Sequence, residues 1–394
     1  MEQTLQGFTD EEIKALEKAQ PMWKMVLSQF FEHKAAVASA VCIAFFLLIS
    51  IFANQIQSVT GLDPDAQNVG NRYLPVMTAA EAPTDVRETA VQQFISAHPD
   101  EAAQIQKALV EKGIVHVAEA DSIYDLSTHD PAEATGLLKD VPQSDDLIQV
   151  FKGFKSFHLF GTDELGRDVF IRLVYGTRVS MSVGILVAVA SALIGLLIGS
   201  IAGFYGGVID SVLMRVTDAL LSLPTIPILI VMAAIDLSKI PWLKALISTS
   251  NESIIKMIII LCLFSWMTVA RLVRGSILSL REREFVLAAR TLGAKDSTII
   301  VRHMFPNVIA PMLVSITLGV GESILFEAAL SFLGLGIMPP TPSWGKMLTN
   351  AQELIYQAPF LAILPGVLIL LTTISFNYLG DGLQDAIDPK TIRR

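Results

Sequence analysis

The stretch Ser180–Phe204 reads SMSVGILVAVASALIGLLIGSIAGF and contains no charged residue. A helix needs about 20 consecutive apolar residues to cross the hydrocarbon core of a bilayer. Only helices and closed barrels satisfy all of their backbone hydrogen bonds in lipid, and this run is too long for a barrel strand. The stretch therefore predicts a membrane-spanning helix.

Five further runs of the same kind occur in the 394-residue chain, in which 52% of residues are hydrophobic and only 17% are charged. They are Ala35–Ala53, Val212–Ile235, Ile254–Val273, Val308–Leu335 and Pro359–Leu379. The sequence therefore predicts an all-α membrane protein with six transmembrane helices. Residues 1–34 are too polar to span, so the first run at 35–53 is interpreted as an anchor and not as a cleaved signal peptide. Cys42 and Cys262 lie far apart within predicted spans, which favours apolar packing over a disulfide or a metal site.

Basic residues concentrate between the fourth and fifth runs and at the C-terminus. They are Arg271, Arg274, Arg281, Arg283, Arg290, Lys295, Arg302, Lys390, Arg393 and Arg394. The positive-inside rule places these segments in the cytoplasm, so both termini, including the tail 381–394, are predicted to be cytoplasmic. Residues 54–160 then lie outside. Arg167, Arg172 and Arg178 run against this topology, although the rule weakens after a long translocated segment.

The predicted outer insert, residues 54–160, contains 16 acidic and 7 basic residues. This excess of acidic residues equals the net charge of −9 of the whole chain. Two interpretations stay open, a small helical domain and a partly disordered acidic loop. Asp85–Lys112 has helix-forming composition, and Pro99-Asp100-Glu101 resembles a helix start. The apolar residues that such a domain would bury are Val91, Phe94, Ile95, Ile105 and Leu109.

The connection between the fourth and fifth spans, residues 274–307, has the pattern helix, turn, helix. Gly293 suits the left-handed residue that ends a first helix, and Asp296 or Ser297 suits the cap of a second. Pro306 is expected to break the chain before the next span. Ala288 and Ala289 are small residues near the exposed turn, which suits insertion into a cleft of another protein.

These residues resemble the Glu-Ala-Ala…Gly loop of bacterial ABC-importer permeases, with Ala288, Ala289, Gly293 and Pro306 at the family spacing and Ala294 beside them. Leu287 stands where the family pattern has Glu. Three other stretches resemble the C-type subunit of the dipeptide/oligopeptide/nickel branch. They are Gly161–Asp168 with Tyr175–Arg178, Leu333–Gly336 with Pro339–Gly345, and Leu379–Leu383 with Asp388-Pro389. The resemblance covers residues 20–53 and 158–394.

The resemblance implies a type I importer fold in the bacterial cytoplasmic membrane, with a permease core at 161–380 and the insert as an addition. It implies a heterodimer with a second, B-type permease, a substrate-binding protein outside, and contact with membrane lipid but not with nucleic acid. It also implies two ATPase subunits, whose closure on ATP moves the docked helices around Ala288–Gly293. This chain has no Gly-x4-Gly-Lys-Ser/Thr loop, so ATP and Mg²⁺ are assigned to the partner ATPases and no cofactor to this chain. It is expected to be a transport subunit and not an enzyme.

Intramembrane polar groups are the candidates for a substrate pathway, because a carboxylate in lipid is costly. Glu322 and Glu327 qualify, and their five-residue spacing points them about 140° apart on a helix. Structural pairing with a neighbouring helix is the alternative for each. Pro224, with Pro227, is expected to kink the third span, which would shape a gate or accommodate packing. Asp218 and Arg215 are expected to form a local ion pair.

Competing functions remain open at this stage. The resemblance implies import of dipeptides or oligopeptides, with nickel or a metal chelate as the alternative within the same branch. No metal-ligand spacing is evident among the histidines. An intramembrane enzyme is disfavoured because no histidine lies in a predicted span. A sensor or adhesion role for the insert is a third alternative.

Overall fold

The structure is a computed structural model that describes residues 22–81, 84–111, 116–117, 124–125, 141, 143, 146–147, 150, 155–235, 239, 252–349 and 351–387. The N-terminal segment up to residue 21 and the basic end of the tail, with Lys390, Arg393 and Arg394, lie outside the described residues. The chain divides into two compact units. We call residues 1–51, 176–350 and 364–394 the membrane unit, and residues 52–175 and 351–363 the insert unit.

Helices make up most of the described chain, in agreement with the predicted fold class. In chain order they are α1 (Met22–Glu32), α2 (Lys34–Ile51), α3 (Ala53–Thr60), α4 (Thr84–Ala97), α5 (Ala102–Glu111), α6 (Val169–Tyr205), α7 (Gly207–Leu221), α8 (Thr225–Ala234), α9 (Glu252–Arg281), α10 (Glu284–Thr291), α11 (Asp296–Thr298), α12 (Phe305–Phe332), α13 (Trp344–Met347), α14 (Ala351–Leu354) and α15 (Phe360–Ile387). Within the described residues, four short strands pair in two antiparallel ribbons, β1 (Thr78–Glu81) with β4 (Lys155–His158) and β2 (His116–Val117) with β3 (Tyr124–Asp125).

Five of the six predicted spans correspond to single helices that are long and apolar enough to cross a membrane. They are α2, α6, α9, α15 and the helix Asp296–Phe332 that contains α12. The third predicted span is divided into two helices, because α7 and α8 meet at an angle of 86° next to the prolines that were expected to kink it. Pro224 is the N-cap residue of α8, and Pro227 lies in the first turn, where the missing N–H leaves no helical bond unmade. The described chain therefore has five spans, or six if the bent pair crosses.

Small residues on α6 allow close contact with α9. A Cβ atom at Gly195 would lie 2.6 Å from Val269 Cβ, and one at Gly203 would lie 2.9 Å from Ile277 Cβ. No side chain larger than hydrogen fits at these positions without a shift. Glycines repeated every fourth residue lie on one face of α6, and these distances show that this face packs closely on α9.

The insert unit has a hydrophobic core of its own between α4 and α5. All five residues that the sequence predicted to be buried lie in it, together with Val141 and Leu147. α5 begins at Ala102, directly after the predicted start at Pro99-Asp100-Glu101. Residues 84–111 therefore form two helices packed on a common apolar core, and the interpretation of the whole insert as a domain or a loop stays a prediction.

The motif Gly161–Asp168 forms a buried polar turn in front of α6. Asp163 Oδ2 accepts a hydrogen bond from Arg167 Nε at 2.7 Å, and Arg172 Nε lies 3.4 Å from the same oxygen. Asp168 Oδ1 caps α6 by accepting from Ile171 N–H at 2.9 Å. Arg167 and Arg172, two of the three arginines that conflicted with the predicted topology, are thus paired with carboxylates inside the chain.

Candidate functional site

The end of α10 is closed by a Schellman motif centred on Gly293. Its φ is +79°, the left-handed conformation that the sequence predicted for this position. The Gly293 N–H donates to Arg290 O at 3.0 Å, and the Ala294 N–H donates to Ala289 O at 3.1 Å. These two bonds satisfy the last carbonyls of α10 and reverse the chain within four residues.

One face of this segment packs on the membrane unit. Val286 and Ala289 of α10 and Ile299 and Met304 beyond the turn are buried against α6, α9 and α12. The Arg290 guanidinium lies 5.4 Å from the centre of the Phe204 ring, a cation–π contact with the end of α6. Because the segment is held at several points by different spans, a force on it would be transmitted to those spans.

The opposite face of the segment is uncovered. Leu292 is 87% exposed and Leu287 is 46% exposed. Ala288 is exposed, and a Cβ atom at Gly293 would meet nothing within 4 Å. An apolar tip of this kind, on a firmly held turn, is typical of a surface that a partner protein covers. We call residues 284–307 the coupling segment.

Two details of the coupling segment differ from expectation. Lys295 is the N-cap residue of α11, and no side chain caps it, so the predicted cap by Asp296 or Ser297 is wrong. Pro306 does not break the chain. Residues Ile299–Met304 form a π-helical turn, and α12 follows at once with Pro306 in its first turn, where a proline is tolerated. Residues 296–332 thus form one continuous helix, which joins the coupling segment rigidly to the fifth span.

Glu327, a predicted pathway residue, is fully buried in the membrane unit at the centre of a serine network. Its Oε1 accepts hydrogen bonds from Ser331 Oγ and Ser343 Oγ, both at 2.8 Å, and its Oε2 accepts one from Ser180 Oγ at 3.1 Å. Each serine oxygen in turn accepts a backbone N–H. The three donors are those of Ile337, Trp344 and Lys346, at 3.2, 3.2 and 3.0 Å.

None of these three serines was predicted as a site residue from the sequence. Ser343 lies in the Pro339–Gly345 motif, which indicated the family but no role for the serine. Ser180 and Ser331 lie in apolar runs, and nothing in such a run predicts which residue a serine will bond to. The network fastens the connection after α12 to α6 and α12. It also positions Trp344, which is fully buried and contacts Phe46 of α2 edge to face at 5.8 Å.

Glu322, the other predicted pathway carboxylate, has no hydrogen bond or ion pair with any described residue. It is exposed on α12 and borders a cavity of about 90 Å³ in the membrane unit. The cavity is lined by both ends of the break between α7 and α8 and by α9. Pro224 itself is exposed at this break. The roles of Glu322, Glu327 and Pro224 in substrate passage stay predictions.

The ion pairs of this region join different helices. Asp218 accepts a hydrogen bond from Arg271 Nε at 3.0 Å, so the predicted local pair with Arg215 is wrong. Arg274 Nη2 donates to Asp210 Oδ2 at 2.6 Å. Both bonds connect α7 to α9, which fixes the first half of the broken span.

Two known protein families match most of the length of this chain. Residues 195–393 match the binding-protein-dependent transport system inner membrane component, and residues 21–75 match the N-terminal TM domain of oligopeptide transport permease C. The chain belongs to the ABC-importer permeases of the oligopeptide/dipeptide family. It is therefore a multi-pass inner membrane protein and a transport subunit, as predicted. Residues 76–194 of this permease lie outside both matches.

Individual relatives agree with this assignment. The permease is 41% identical over 239 residues to the dipeptide transport system permease protein DppC of Alkalihalophilus pseudofirmus, covering 61% of this chain and 74% of the relative. It is 42% identical to the glutathione transport system permease protein GsiD of Escherichia coli, covering 59% and 72%. Among solved structures, an inward-facing MetNI methionine ABC transporter matches 54% of this chain and 96% of its own chain, at 19% identity and a TM-score of 0.40.

Proposed function

We propose that this permease forms half of a transmembrane pathway for short peptides, driven by ATPase subunits that dock on the coupling segment. The observation that carries the proposal is the coupling segment itself, with an exposed apolar tip at Leu292 and a buried face held by three spans. A partner that moves the tip would move α12 with it, because residues 296–332 form one helix. Such rigid transmission suits a switch between inward-open and outward-open packing.

The other parts of the proposed assembly follow from family membership. A B-type permease completes the pathway, two ATPase subunits hold ATP and Mg²⁺, and a substrate-binding protein delivers the peptide from outside, where the insert unit also lies. Peptide is the proposed substrate because the relatives named above are called dipeptide and glutathione permeases. Uptake of labelled short peptides by cells with and without this chain, with nickel as competitor, tests the substrate. Loss of nickel uptake alone on deletion would contradict the peptide assignment.

Gly293→Asp tests the coupling role. The variant forces a non-glycine residue into the left-handed conformation, at a cost of about 1–2 kcal/mol, and places a charge on the apolar tip. We expect normal membrane insertion, with peptide uptake reduced at least about tenfold because the ATPases no longer seat on the tip. The measurement is uptake in proteoliposomes, together with recovery of the ATPases on the purified permease.

Gly61→Asp is the matched control. Gly61 also follows a helix end, at φ +69°, and a Cβ atom there would likewise meet nothing within 4 Å. It lies in the insert unit, so the same backbone strain and the same charge should leave uptake and ATPase recovery unchanged. Normal uptake by Gly293→Asp would refute the docking role of the coupling segment.

A further inference from the structure

Glu322 combines an ionisable carboxyl group, an apolar setting and the absence of any pairing with a described residue. It lies one helical turn from Leu318 and Leu325, both of which are also exposed on α12. A carboxylate on a lipid-facing stripe would be costly, and such groups normally face a partner or a water-filled cavity. The stripe around Glu322 therefore faces the interior of the assembled transporter and not the bilayer.

The cavity beside Glu322 lies at the middle of three predicted spans. The break between α7 and α8 falls at residues 222–224, halfway along the predicted third span, and Glu322 is halfway along the predicted fifth span. Ser265 and Thr268 of α9 add hydroxyl groups to the lining, and the remainder is mostly leucine and phenylalanine. A broken helix that lines a cavity near mid-depth is the arrangement in which transporters hold substrates.

The charge of the cavity selects the ligand. Leu220 and Leu221 line it at the C-terminal end of α7, where backbone carbonyls carry partial negative charge. The N-terminal end of α8 contributes Thr225 and the opposite partial charge, so the two helix ends largely cancel. Glu322 is then the ionisable side chain of the lining, and the partner that would stabilise its carboxylate form is a cation.

We propose that Glu322 and this cavity form a subsite for the α-ammonium group of a peptide in transit. The inference rests on the proposed peptide transport. A cavity of about 90 Å³ has room for an ammonium group and the carbon that bears it. Every unblocked peptide carries this group whatever its side chains, so a single carboxylate serves many sequences.

The test uses the complete transporter, purified with its partner subunits and reconstituted in liposomes, with radiolabelled trialanine as the probe. Glu322→Gln should lower the uptake rate by about tenfold or more, because the amide removes the charge from the contact. Glu322→Asp, which keeps the charge, should retain most of the uptake. Leu325→Gln, which places the same amide one turn away, is the control and should transport normally.

A second measurement locates the peptide. A tripeptide that carries a photoreactive diazirine at its first residue should crosslink to the residues around the break in the wild type, and less in Glu322→Gln. Crosslinks confined to other parts of the chain would overturn the proposal. So would loss of the second permease subunit from Glu322→Gln, because the carboxylate would then be an interface partner. Uptake by Glu322→Gln at the wild-type rate refutes the subsite alone, whereas a wild-type transporter that takes up no peptide refutes the proposed function.

Discussion

Glu322 and Glu327 are five residues apart on α12 and have opposite surroundings. Glu327 is fully buried and accepts three serine hydroxyls, whereas Glu322 is exposed and pairs with no described residue. Helical geometry predicted that the two side chains point in different directions. It could not predict which of them has a partner, because Ser180 and Ser343 come from other parts of the chain.

At the scale of single residues, Glu327→Ala should destabilise the permease by about 3 kcal/mol or more. The change leaves three buried hydroxyls without their acceptor and loosens their bonds to the backbone beyond α12. Glu327→Gln keeps the shape and one carbonyl oxygen, so about 1 kcal/mol is expected. Thermal unfolding of the detergent-purified protein measures both. Glu322→Ala is the control, since it removes a carboxylate without a described partner, and an equal loss of stability there would contradict the network's structural role.

The contact between α6 and α9 makes a prediction at the scale of elements. Gly199→Ala would place a Cβ atom 2.9 Å from Val273 Cβ and 3.0 Å from Arg274 N, so the two helices must separate. The expected loss of stability is about 1–3 kcal/mol. Gly275→Ala on α9 is the matched substitution, because its Cβ atom would meet nothing within 4 Å. It should stabilise the helix by about 0.5–1 kcal/mol. Thermal unfolding shifts of the same sign for both variants would contradict the proposed packing.

Elements with a continuous apolar pattern could be predicted from the sequence, and elements that depend on distant partners could not. Five spans were located by their apolar runs, and the coupling segment by its glycine and alanine spacing. The prolines before α8 predicted a kink but not the size of the bend, because a proline is compatible with a slight kink and with a full break. The size of the bend depends on contacts with distant residues, such as those of Asp218 and Asp210 with α9. β1 and β4 were missed because each is four residues long and pairs across more than seventy positions.

The number of crossings is a property of the whole molecule and depends on the pair α7 and α8. If the pair crosses the membrane, the permease has six spans and both termini lie on the same side. If the pair instead turns back, five spans remain and the segments that follow it change sides. With the N-terminus in the cytoplasm, as predicted, six spans place the arginines of the coupling segment in the cytoplasm, in agreement with the positive-inside rule, whereas five spans place them outside.

Cysteine labelling distinguishes the two topologies within the membrane unit. Single cysteines replace Val208, Leu292 and Met338, which are 79%, 87% and 56% exposed, in a background where Cys42 and Cys262 are alanine. With six spans, a membrane-impermeant maleimide should label positions 208 and 292 only in inverted vesicles and position 338 only in right-side-out spheroplasts. Because α12 separates 292 from 338 in either topology, that pair must always label from opposite sides and serves as the internal control. Labelling of 208 and 292 from opposite sides would show that α7 and α8 form a re-entrant loop, and would place the coupling segment and the N-terminus on different sides of the membrane.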